Sequence, residues 1–241
     1  MKTVLITGAG RADGLGFGVA KQLGEQGYHI VVSARKNDQV NDRVAELSAL
    51  GYTASGLVMD ITDDNSVESA ADKLSTQLSQ LDVLINNAAY FGDFNDVVST
   101  DLTDVQLAFD TNFIGTWRVV KAFYALLKKS SSARVVNVSS GAGSYDDPVY
   151  GLLHGSMGMP VSTYALTKLT INGLTIKMAK EFKKDHILVN AVCPDVVNTH
   201  PDTQSMGRSV EDGAKSISWA ATIPDDGPTG EFFRDGKPLP W

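Results

Sequence analysis

A glycine-rich loop stands between two short apolar runs near the N-terminus. The apolar runs, residues 4–6 and 30–32, consist of bulky and β-branched side chains, which predict parallel strands buried on both faces. The loop carries glycine at positions 8, 10, 14, 16 and 18 and leads into a helical pattern. A strand–loop–helix–strand unit of this kind binds dinucleotides, because glycines let the backbone approach a pyrophosphate and the helix N-terminus supplies N–H donors.

The same alternation continues to the C-terminus. Further strands are predicted at residues 54–59, 83–85, 134–138, 187–192 and 231–233, and helices at residues 37–50, 66–81, 102–127, 162–182 and 209–221. No repeat or linker interrupts the pattern. It predicts an α/β fold, a single-domain Rossmann-like doubly wound parallel sheet with helices on both faces, over residues 1–241.

The composition of the chain excludes several classes of binding partner. The net charge of −7 argues against nucleic acid as the main partner. Cys193 is the one cysteine, and the histidines at positions 29, 154, 186 and 200 lack metal-ligand spacing. No apolar stretch approaches the ~20 residues of a membrane span, and glycine occurs too early for a secretory signal. We therefore expect a cytoplasmic protein that binds a small molecule, with no metal, no membrane and no nucleic-acid partner.

Ligands of doubly wound sheets bind at the carboxyl ends of the strands. The second strand ends without a carboxylate for the ribose hydroxyls, and Arg35 and Lys36 follow instead. Arg35 could pair with a 2′-phosphate, and Arg11 in the glycine loop could reach the same place. We therefore predict NADP(H) rather than NAD(H); otherwise these cations are solvated loop charges. Asp60, after the third strand, could accept from the adenine amino group or cap a helix.

Tyr164 and Lys168 lie four residues apart in the helix predicted at 162–182, so their side chains share one face. A nearby cation favours the phenolate and lowers the pKa of a tyrosine. Such a tyrosine can exchange a proton with a carbonyl or an alcohol near neutral pH. On its own the pair would also suit a solvated helix surface. Asn112, inside an apolar helical pattern, competes for backbone hydrogen bonds and needs a partner.

In order and in context, these motifs resemble the short-chain dehydrogenase/reductase family over essentially the whole chain. The shared motifs are Thr7-Gly8, Gly14-Leu15-Gly16, Asn86-Asn87-Ala88, Asn112, Ser139-Ser140 and Tyr164-x-x-x-Lys168. The tail at residues 230–241 is also similar to the NADPH-dependent carbonyl reductase branch of that family.

The resemblance implies a role for each matching position. Tyr164 would be the acid/base, and Lys168 would lower its pKa and bind the nicotinamide ribose. Ser140, rather than Ser139, would polarise the substrate carbonyl, and Asn112 would hold a water of a proton relay. The residues expected to bind the cofactor, from their strand-end positions and from the resemblance, are Gly8, Arg11, Gly14, Leu15, Gly16, Arg35, Asp60, Ile61, Asn87, Ala88, Tyr164, Lys168, Pro194, Val197 and Thr199.

Several positions depart from the family pattern. Five residues separate Gly8 from Gly14, a longer interval than the family usually has. Ala89 stands where glycine is usual. Asp195 replaces the usual glycine after Pro194 and brings a carboxylate close to where the nicotinamide should lie.

Two segments are expected to cover the pocket. The 23 residues between Ser140 and Tyr164 predict a substrate flap near residues 141–162. Its apolar wall would consist of Tyr145, Tyr150, Leu152, Met157 and Met159, unless these side chains only pack a surface loop. His154 is expected to be a loop residue. A polar segment near residues 195–212 predicts a lid.

The resemblance implies a reductase that transfers hydride from NADPH to a ketone or aldehyde. Alternatives are an NAD(P)-dependent alcohol dehydrogenase in the oxidative direction and a non-catalytic NADP-binding regulator. An enoyl reductase is disfavoured, because that group spaces its tyrosine and lysine more widely. The helices within residues 102–127 and 163–182 are the usual contact faces of this family, so the chain is expected to form a dimer or tetramer, or to remain a monomer.

Overall fold

Eight strands form the centre of the protein, whose computed structural model describes residues 1–92, 94–156, 160–199 and 206–241. They are β1 (Thr3–Ile6), β2 (His29–Ala34), β3 (Ala54–Val58), β4 (Val83–Asn86), β5 (Arg134–Val138), β6 (Leu188–Val192), β7 (Phe232–Arg234) and β8 (Lys237–Pro238). Their order is β3-β2-β1-β4-β5-β6-β7-β8, and every pair except β7–β8 is parallel. The strand order reverses between β1 and β4, which opens a crevice at the carboxyl ends of these strands.

Helices connect the parallel strands. They are α1 (Leu15–Glu25), α2 (Asn37–Ala49), α3 (Asp64–Gln77), α4 (Leu102–Phe109), α5 (Thr116–Leu127), α6 (Ser162–Phe182) and α7 (Val210–Thr222). The predicted α/β fold is confirmed. In the part of the chain that the structure describes, no helix is long and apolar enough to cross a membrane.

The hydrophobic core lies in two layers, one on each face of the sheet. Leu5 of β1 packs in the layer of α3, α5 and α6, together with Phe123 and Leu174. Its neighbours Val4 and Ile6 pack in the layer of α1 and α7. Successive residues of a strand point to opposite faces, so an unbroken apolar run is required where both faces are covered. This is why residues 4–6 and 30–32 carry no polar side chain.

Helix α3 differs from its predicted bounds at both ends. Helix α3 begins at Asp64, because the Asp63 side chain caps it by accepting from the Ser66 amide at 3.0 Å. It ends at Gln77 rather than residue 81, and the extended Leu78 leads the chain to a buried Leu81. The final hairpin was not predicted. Asp235 and Gly236 join β7 to β8 with positive φ angles of 53° and 72°, as type I′ hairpins require.

The helix predicted within residues 102–127 is interrupted at its centre. A π-helical segment, Asp110–Gly115, separates α4 from α5. This segment contains Asn112, whose side chain is 1% exposed. A π-helical turn widens the helix and often occurs at a functional site.

The base of the predicted flap is fixed by the C-terminal residues. Ser144 Oγ donates to the Pro240 carbonyl at 2.8 Å, and the Tyr145 amide donates to the Trp241 carbonyl at 2.9 Å. The Trp241 ring in turn stacks on Phe232 of β7 at 5.5 Å.

Phe123 offers a test of the core, because its side chain is completely buried between α5 and the sheet. Phe123→Ala should lower the free energy of unfolding by about 3–5 kcal/mol, through lost apolar burial and the cavity left behind. Denaturant unfolding measures this loss. Leu50→Ala, at a side chain that is 54% exposed, is the control and should change the free energy of unfolding by less than about 0.5 kcal/mol. Equal losses in both variants would contradict this account of the core.

Candidate active site

A cavity of about 850 Å³ follows the carboxyl ends of the strands. This volume lies within the range of about 300–1,000 Å³ that is usual for small-molecule sites. Most of the predicted site residues line it: Gly8, Arg11, Gly14, Leu15, Arg35, Asp60, Ile61, Asn87, Ala88, Ser140, Tyr164, Lys168, Pro194, Val197 and Thr199. Gly16 and Asn112 are not among the lining residues and support the wall from behind.

Contacts with the end of β4 shape the glycine loop. Gly8 has a φ of +67°, and a Cβ there would lie 2.7 Å from the Ala88 Cα atom. Thr7 Oγ1 accepts from the Asn87 and Ala88 amides at 3.0 and 3.1 Å. Asn87 Nδ2 donates back to the Thr7 carbonyl at 2.9 Å, and a Cβ on Gly16 would lie 2.6 Å from that nitrogen. Gly8, Gly16 and Asn87 therefore hold two strand ends in close contact.

The longer glycine loop is occupied by an internal ion pair. The Arg11 guanidinium donates to both carboxylate oxygens of Asp13, at 3.0 and 2.9 Å. It also donates to the Thr199 carbonyl at 3.0 Å, which joins the loop to the segment that follows β6. A contact between Arg11 and a 2′-phosphate stays a prediction.

Asp60 and Arg35 lie together at the β2 and β3 ends of the cavity. Asp60 Oδ1 accepts from the amide and hydroxyl of Thr62, at 3.0 and 2.7 Å. Burial opposes ionisation of Asp60, but the Thr62 hydrogen bonds and the charges of Arg35 and Arg118 outweigh it and lower its pKa. The helix cap is the neighbouring Asp63, so the capping alternative for Asp60 is wrong. Arg35 is exposed and faces the same cavity.

Lys168 is buried at the inner end of the cavity, with a residue exposure of 3%. Its ammonium group donates to the Val138 carbonyl at 2.8 Å and lies 5.4 Å from the centre of the Tyr164 ring. Burial lowers the pKa of Lys168 to about 8. The sequence places this lysine correctly relative to Tyr164, and the strand end supplies its acceptor.

Tyr164 lines the cavity together with Ser140 and Lys168. Burial and the neighbouring Cys193 raise the pKa of Tyr164 above the usual 10, and the Ser140 hydroxyl only partly opposes this rise. The predicted net lowering by Lys168 is therefore wrong in this structure, because the ammonium faces the ring and the Val138 carbonyl. Phe91 stacks on the Tyr164 ring at 4.5 Å with an interplanar angle of 9°.

The two neighbouring serines have different partners. Ser139 Oγ donates to Asn172 Oδ1 at 2.6 Å, inside the packing between β5 and α6. Ser140 caps a short 3₁₀ turn, Gly141–Gly143, by accepting from the Ala142 amide at 3.2 Å, and its hydroxyl opposes the rise in the pKa of Tyr164. Ser140 is thus the serine beside the phenol.

Asn112 has the partners that its position required. Its Oδ1 accepts from the Tyr90 amide at 2.7 Å, and its Nδ2 donates to the Tyr90 carbonyl at 2.8 Å. Nδ2 also donates to Thr167 Oγ1 at 2.9 Å, next to Lys168 in the chain. The side chain therefore ties the loop after β4 to helix α6.

Asp195 has a left-handed backbone, with a φ of 64°, a conformation that favours glycine. Its carboxylate accepts from the Tyr150 hydroxyl at 2.8 Å and from the Arg208 guanidinium at 2.6 Å. Burial opposes its ionisation, but the Tyr150 and Arg208 hydrogen bonds outweigh it and lower its pKa. Burial and the Asp195 hydrogen bond raise the pKa of Tyr150 to about 12.

The predicted flap residues divide into two groups. Tyr150 and Leu152 line the cavity, whereas Tyr145 is outside the lining and half exposed. Met157 and Met159 lie outside the described residues, as does the centre of the predicted lid at residues 200–205. The described ends of the lid pair with each other, since the Asn198 amide donates to the Arg208 carbonyl at 3.0 Å.

His154 is exposed, as expected of a loop residue. Within the described ranges, no group of three or more His, Cys, Asp or Glu side chains is arranged to hold a metal ion.

Sequence reasoning missed several residues of the cavity wall: Gln39, Thr62, Tyr90, Phe91, Phe94 and Leu153. Gln39 and Thr62 follow strand ends by a few residues, so the strand-end rule could have found them. Phe91 and Phe94 follow the Asn86–Ala89 motif in a loop without periodicity. Only their position after that motif could have marked them.

The profile of the short chain dehydrogenase family matches residues 2–207. The chain belongs to this family. Membership makes it an oxidoreductase that acts on C=O and CH–OH groups.

Several curated relatives are similar to this chain over nearly its full length. Carbonyl reductase [NADPH] 1 of Mus musculus is 29% identical over 274 residues, which cover 98% of this chain and 97% of that protein. The (+)-neomenthol dehydrogenase of Arabidopsis thaliana is 28% identical over 95% of this chain and 94% of the relative. The resemblance to the carbonyl reductase branch is thereby confirmed.

Solved structures agree in fold. The NADPH-bound carbonyl reductase from chicken fatty liver has a TM-score of 0.82 at 24% identity and covers 100% of this chain and 99% of its own. A 3-oxoacyl-[acyl-carrier protein] reductase with bound NAD from Brucella melitensis has a TM-score of 0.80 at 26% identity, covering 97% of this chain and 88% of its own.

The lowered pKa of Lys168 predicts a specific pH dependence of stability. In the unfolded chain its pKa returns to the usual 10.5, so between pH 8 and 10.5 the unfolded state binds more protons than the folded state. This group therefore makes the free energy of unfolding rise with pH over that interval. Lys168→Met should remove the rise, as measured by denaturant unfolding from pH 7.5 to 10.

The matched control is Lys177→Met on the same helix, where the lysine side chain is 72% exposed. Its curve should run parallel to that of the wild type. A Lys168→Met curve that also runs parallel to the wild type would contradict the burial argument.

Proposed function

We propose that this enzyme is an NADPH-dependent reductase of ketone or aldehyde carbonyls. The observation that carries the proposal is the single cavity whose lining brings Ser140 and Tyr164 together with the buried Lys168 and also contains Arg35. The full-length similarity to carbonyl reductases whose names include NADPH supports the same chemistry.

The residues of the cavity fit a dinucleotide phosphate. The close contact of Gly8 with Ala88 leaves no room for a side chain beside the loop, and Gly14 and Leu15 bring the start of α1 to the cavity. These backbone groups would hold the pyrophosphate. Arg35 would pair with the 2′-phosphate, which distinguishes NADP(H) from NAD(H).

We assign the remaining cofactor contacts by the position of each residue in the cavity. Asp60 and Ile61 would lie against the adenine, and Asn87 and Ala88 against the adenosine. Lys168 would bind the nicotinamide ribose. The loop after β6, through Pro194, Val197 and Thr199, would hold the nicotinamide, and all of these residues line the cavity.

NADPH, when bound, supplies the hydride for the carbonyl carbon. The chain supplies the hydrogen bonds and the proton. Ser140 and Tyr164 would both donate to the carbonyl oxygen and stabilise its developing negative charge, an effect worth about 3–4 kcal/mol per donor in comparable sites. The raised pKa of Tyr164 keeps the phenol protonated at neutral pH, which is the form that carbonyl reduction needs.

Proton return to Tyr164 would pass through Lys168. The ammonium, whose pKa is about 8, can give up a proton near neutral pH more readily than an exposed lysine. Asn112, held by Tyr90 and Thr167, would position a water for this relay.

Alcohol oxidation is the second candidate, because one full-length relative is a (+)-neomenthol dehydrogenase. It would use the same residues in reverse, with the Tyr164 phenolate as the base. The raised pKa of Tyr164 makes that form scarce at neutral pH and favours reduction.

Assembly is a further part of the proposal. The helices predicted as contact faces expose several large apolar side chains: Leu107, Ile114, Trp117 and Leu166. These side chains support a dimer or tetramer.

Turnover with NADPH and NADH across aldehydes, quinones, diketones and cyclic ketones tests the proposal, with Tyr164→Phe as the decisive variant. This variant should lower kcat by about 10²–10⁴-fold, because it removes the proton donor, and leave the Kd for NADPH within about threefold. Tyr145→Phe, outside the cavity, is the control and should match the wild type. NADPH binding without turnover of any carbonyl would instead support a non-catalytic regulator.

Arg35→Asp tests the choice of cofactor. Removing the cation and adding a carboxylate should lower the ratio of kcat/KM with NADPH to that with NADH by about 100-fold, through loss of a charge-assisted phosphate contact. Lys36→Ala removes the adjacent exposed cation, which does not line the cavity, and should leave the ratio unchanged. Equal effects of the two variants would assign the preference to general charge rather than to Arg35.

A further inference from the structure

Asp195 joins three segments that are distant in sequence. It follows β6, its Oδ1 accepts from the hydroxyl of Tyr150 in the predicted flap, and its Oδ2 accepts from Arg208 in the later described part of the predicted lid. The Arg208 guanidinium also donates to both carboxylate oxygens of Asp235 in the β7–β8 turn, at 2.7 and 3.1 Å. One carboxylate thus connects the loop after β6 with the flap and with both later segments.

Tyr150 is held from a second direction. The Arg234 guanidinium lies 5.2 Å from the centre of its ring and donates to Asp147 Oδ2 at 2.6 Å. Asp147 is completely buried, and its Oδ1 accepts from the Tyr150 amide at 2.9 Å. The hydroxyl, the ring face and the backbone of Tyr150 are therefore all fixed.

A hydrogen bond between the Asp195 side chain and the next backbone amide compensates for the left-handed backbone of Asp195. Aspartate tolerates this conformation better than most residues because its side chain can bond nearby backbone, and here Oδ1 accepts from the Val196 amide at 2.9 Å. Glycine would adopt the same backbone without strain. The carboxylate is therefore not needed to make the turn, and its contacts with Tyr150 and Arg208 are what it adds.

Both Asp195 and Tyr150 line the cavity, on the side of the loop that would hold the nicotinamide. Because Arg208 and Arg234 compensate the carboxylates of Asp147 and Asp195, the wall carries little free charge at this place. The contacts fix how far the flap wall stands from the loop after β6, and that distance sets the room for the carbonyl substrate.

We propose that Asp195 is a positioning residue for the substrate side of the site: through Tyr150 it fixes the flap wall, and so determines the affinity for the carbonyl substrate. This inference rests on the proposed reductase function. The acid/base chemistry stays with Tyr164, Ser140 and Lys168.

Asp195→Gly is the sharpest variant, because the backbone of Asp195 has a φ of 64° that favours glycine, so we expect the variant to fold. It should raise the KM for the carbonyl substrate about tenfold, the loss expected for a hydrogen bond to a charged group, with kcat and the Kd for NADPH within twofold. Tyr150→Phe keeps the ring and should raise KM in the same direction. The double variant should match Asp195→Gly alone, because the two residues act through one contact.

Asp225→Asn is the matched control. It breaks the ion pair with Arg134, which has the same 2.6 Å length and lies outside the cavity lining. This variant should leave KM unchanged.

Amide hydrogen exchange gives a readout that does not depend on turnover. Exchange of the amides of residues 149–153 should be about tenfold faster in Asp195→Gly than in the wild type and unchanged in Asp225→Asn. Unchanged exchange, an unchanged KM, additive effects in the double variant, or a Kd for NADPH that rises as much as KM would each overturn the inference. If the wild type turned over no carbonyl, the proposed function would fail, and the exchange comparison would then decide only whether Asp195 fixes the flap wall.

Discussion

The buried ammonium group of Lys168 is the interaction on which the arrangement of the active site depends. Removing an ammonium group from water costs several kcal/mol, so Lys168 needs compensation within the fold. It finds the Val138 carbonyl at the end of β5 and the face of the Tyr164 ring, and part of the cost appears as a lowered pKa. Both partners come from elements that the two core layers hold rigidly. The chemistry at this position therefore depends on the packing of the sheet.

The neighbouring polar residues form a second layer of support. Asn112 connects the loop after β4 to α6, and Ser139 connects β5 to the same helix through Asn172. The π-helical turn carries Asn112 into the interior, at the junction of these elements. The π-helical turn thus places Asn112 where its side chain can connect the loop after β4 to helix α6.

Much of this arrangement was predictable from the sequence. Helix α6 has the predicted bounds, and most strands lie within a residue or two of their predicted positions, because strands buried on both faces require unbroken apolar runs. Gly8, Arg35 and Ser140 could be assigned to one cavity, because each follows the carboxyl end of a parallel strand. The π-helical turn could not be predicted, since the Tyr90 and Thr167 partners of Asn112 within it are distant in the chain.

Other features depended on partners far away in sequence. The role of Asp195 was not visible, because Tyr150 lies 45 residues from it. The direction of the Tyr164 pKa shift was mispredicted for a similar reason. The spacing of Tyr164 and Lys168 indicates proximity, but the extent of burial, which decides the shift, is a property of the folded molecule.

The contacts of the C-terminal residues have a consequence for synthesis. The Ser144 hydroxyl and the Pro240 carbonyl that accepts from it are 96 positions apart, and Pro240 follows β8, so the ribosome must synthesise all eight described strands before this bond can form. The glycine loop and the first four neighbouring strands of the sheet can associate earlier. During translation the segments that form the nucleotide half of the cavity are therefore synthesised before the residues that anchor its substrate wall.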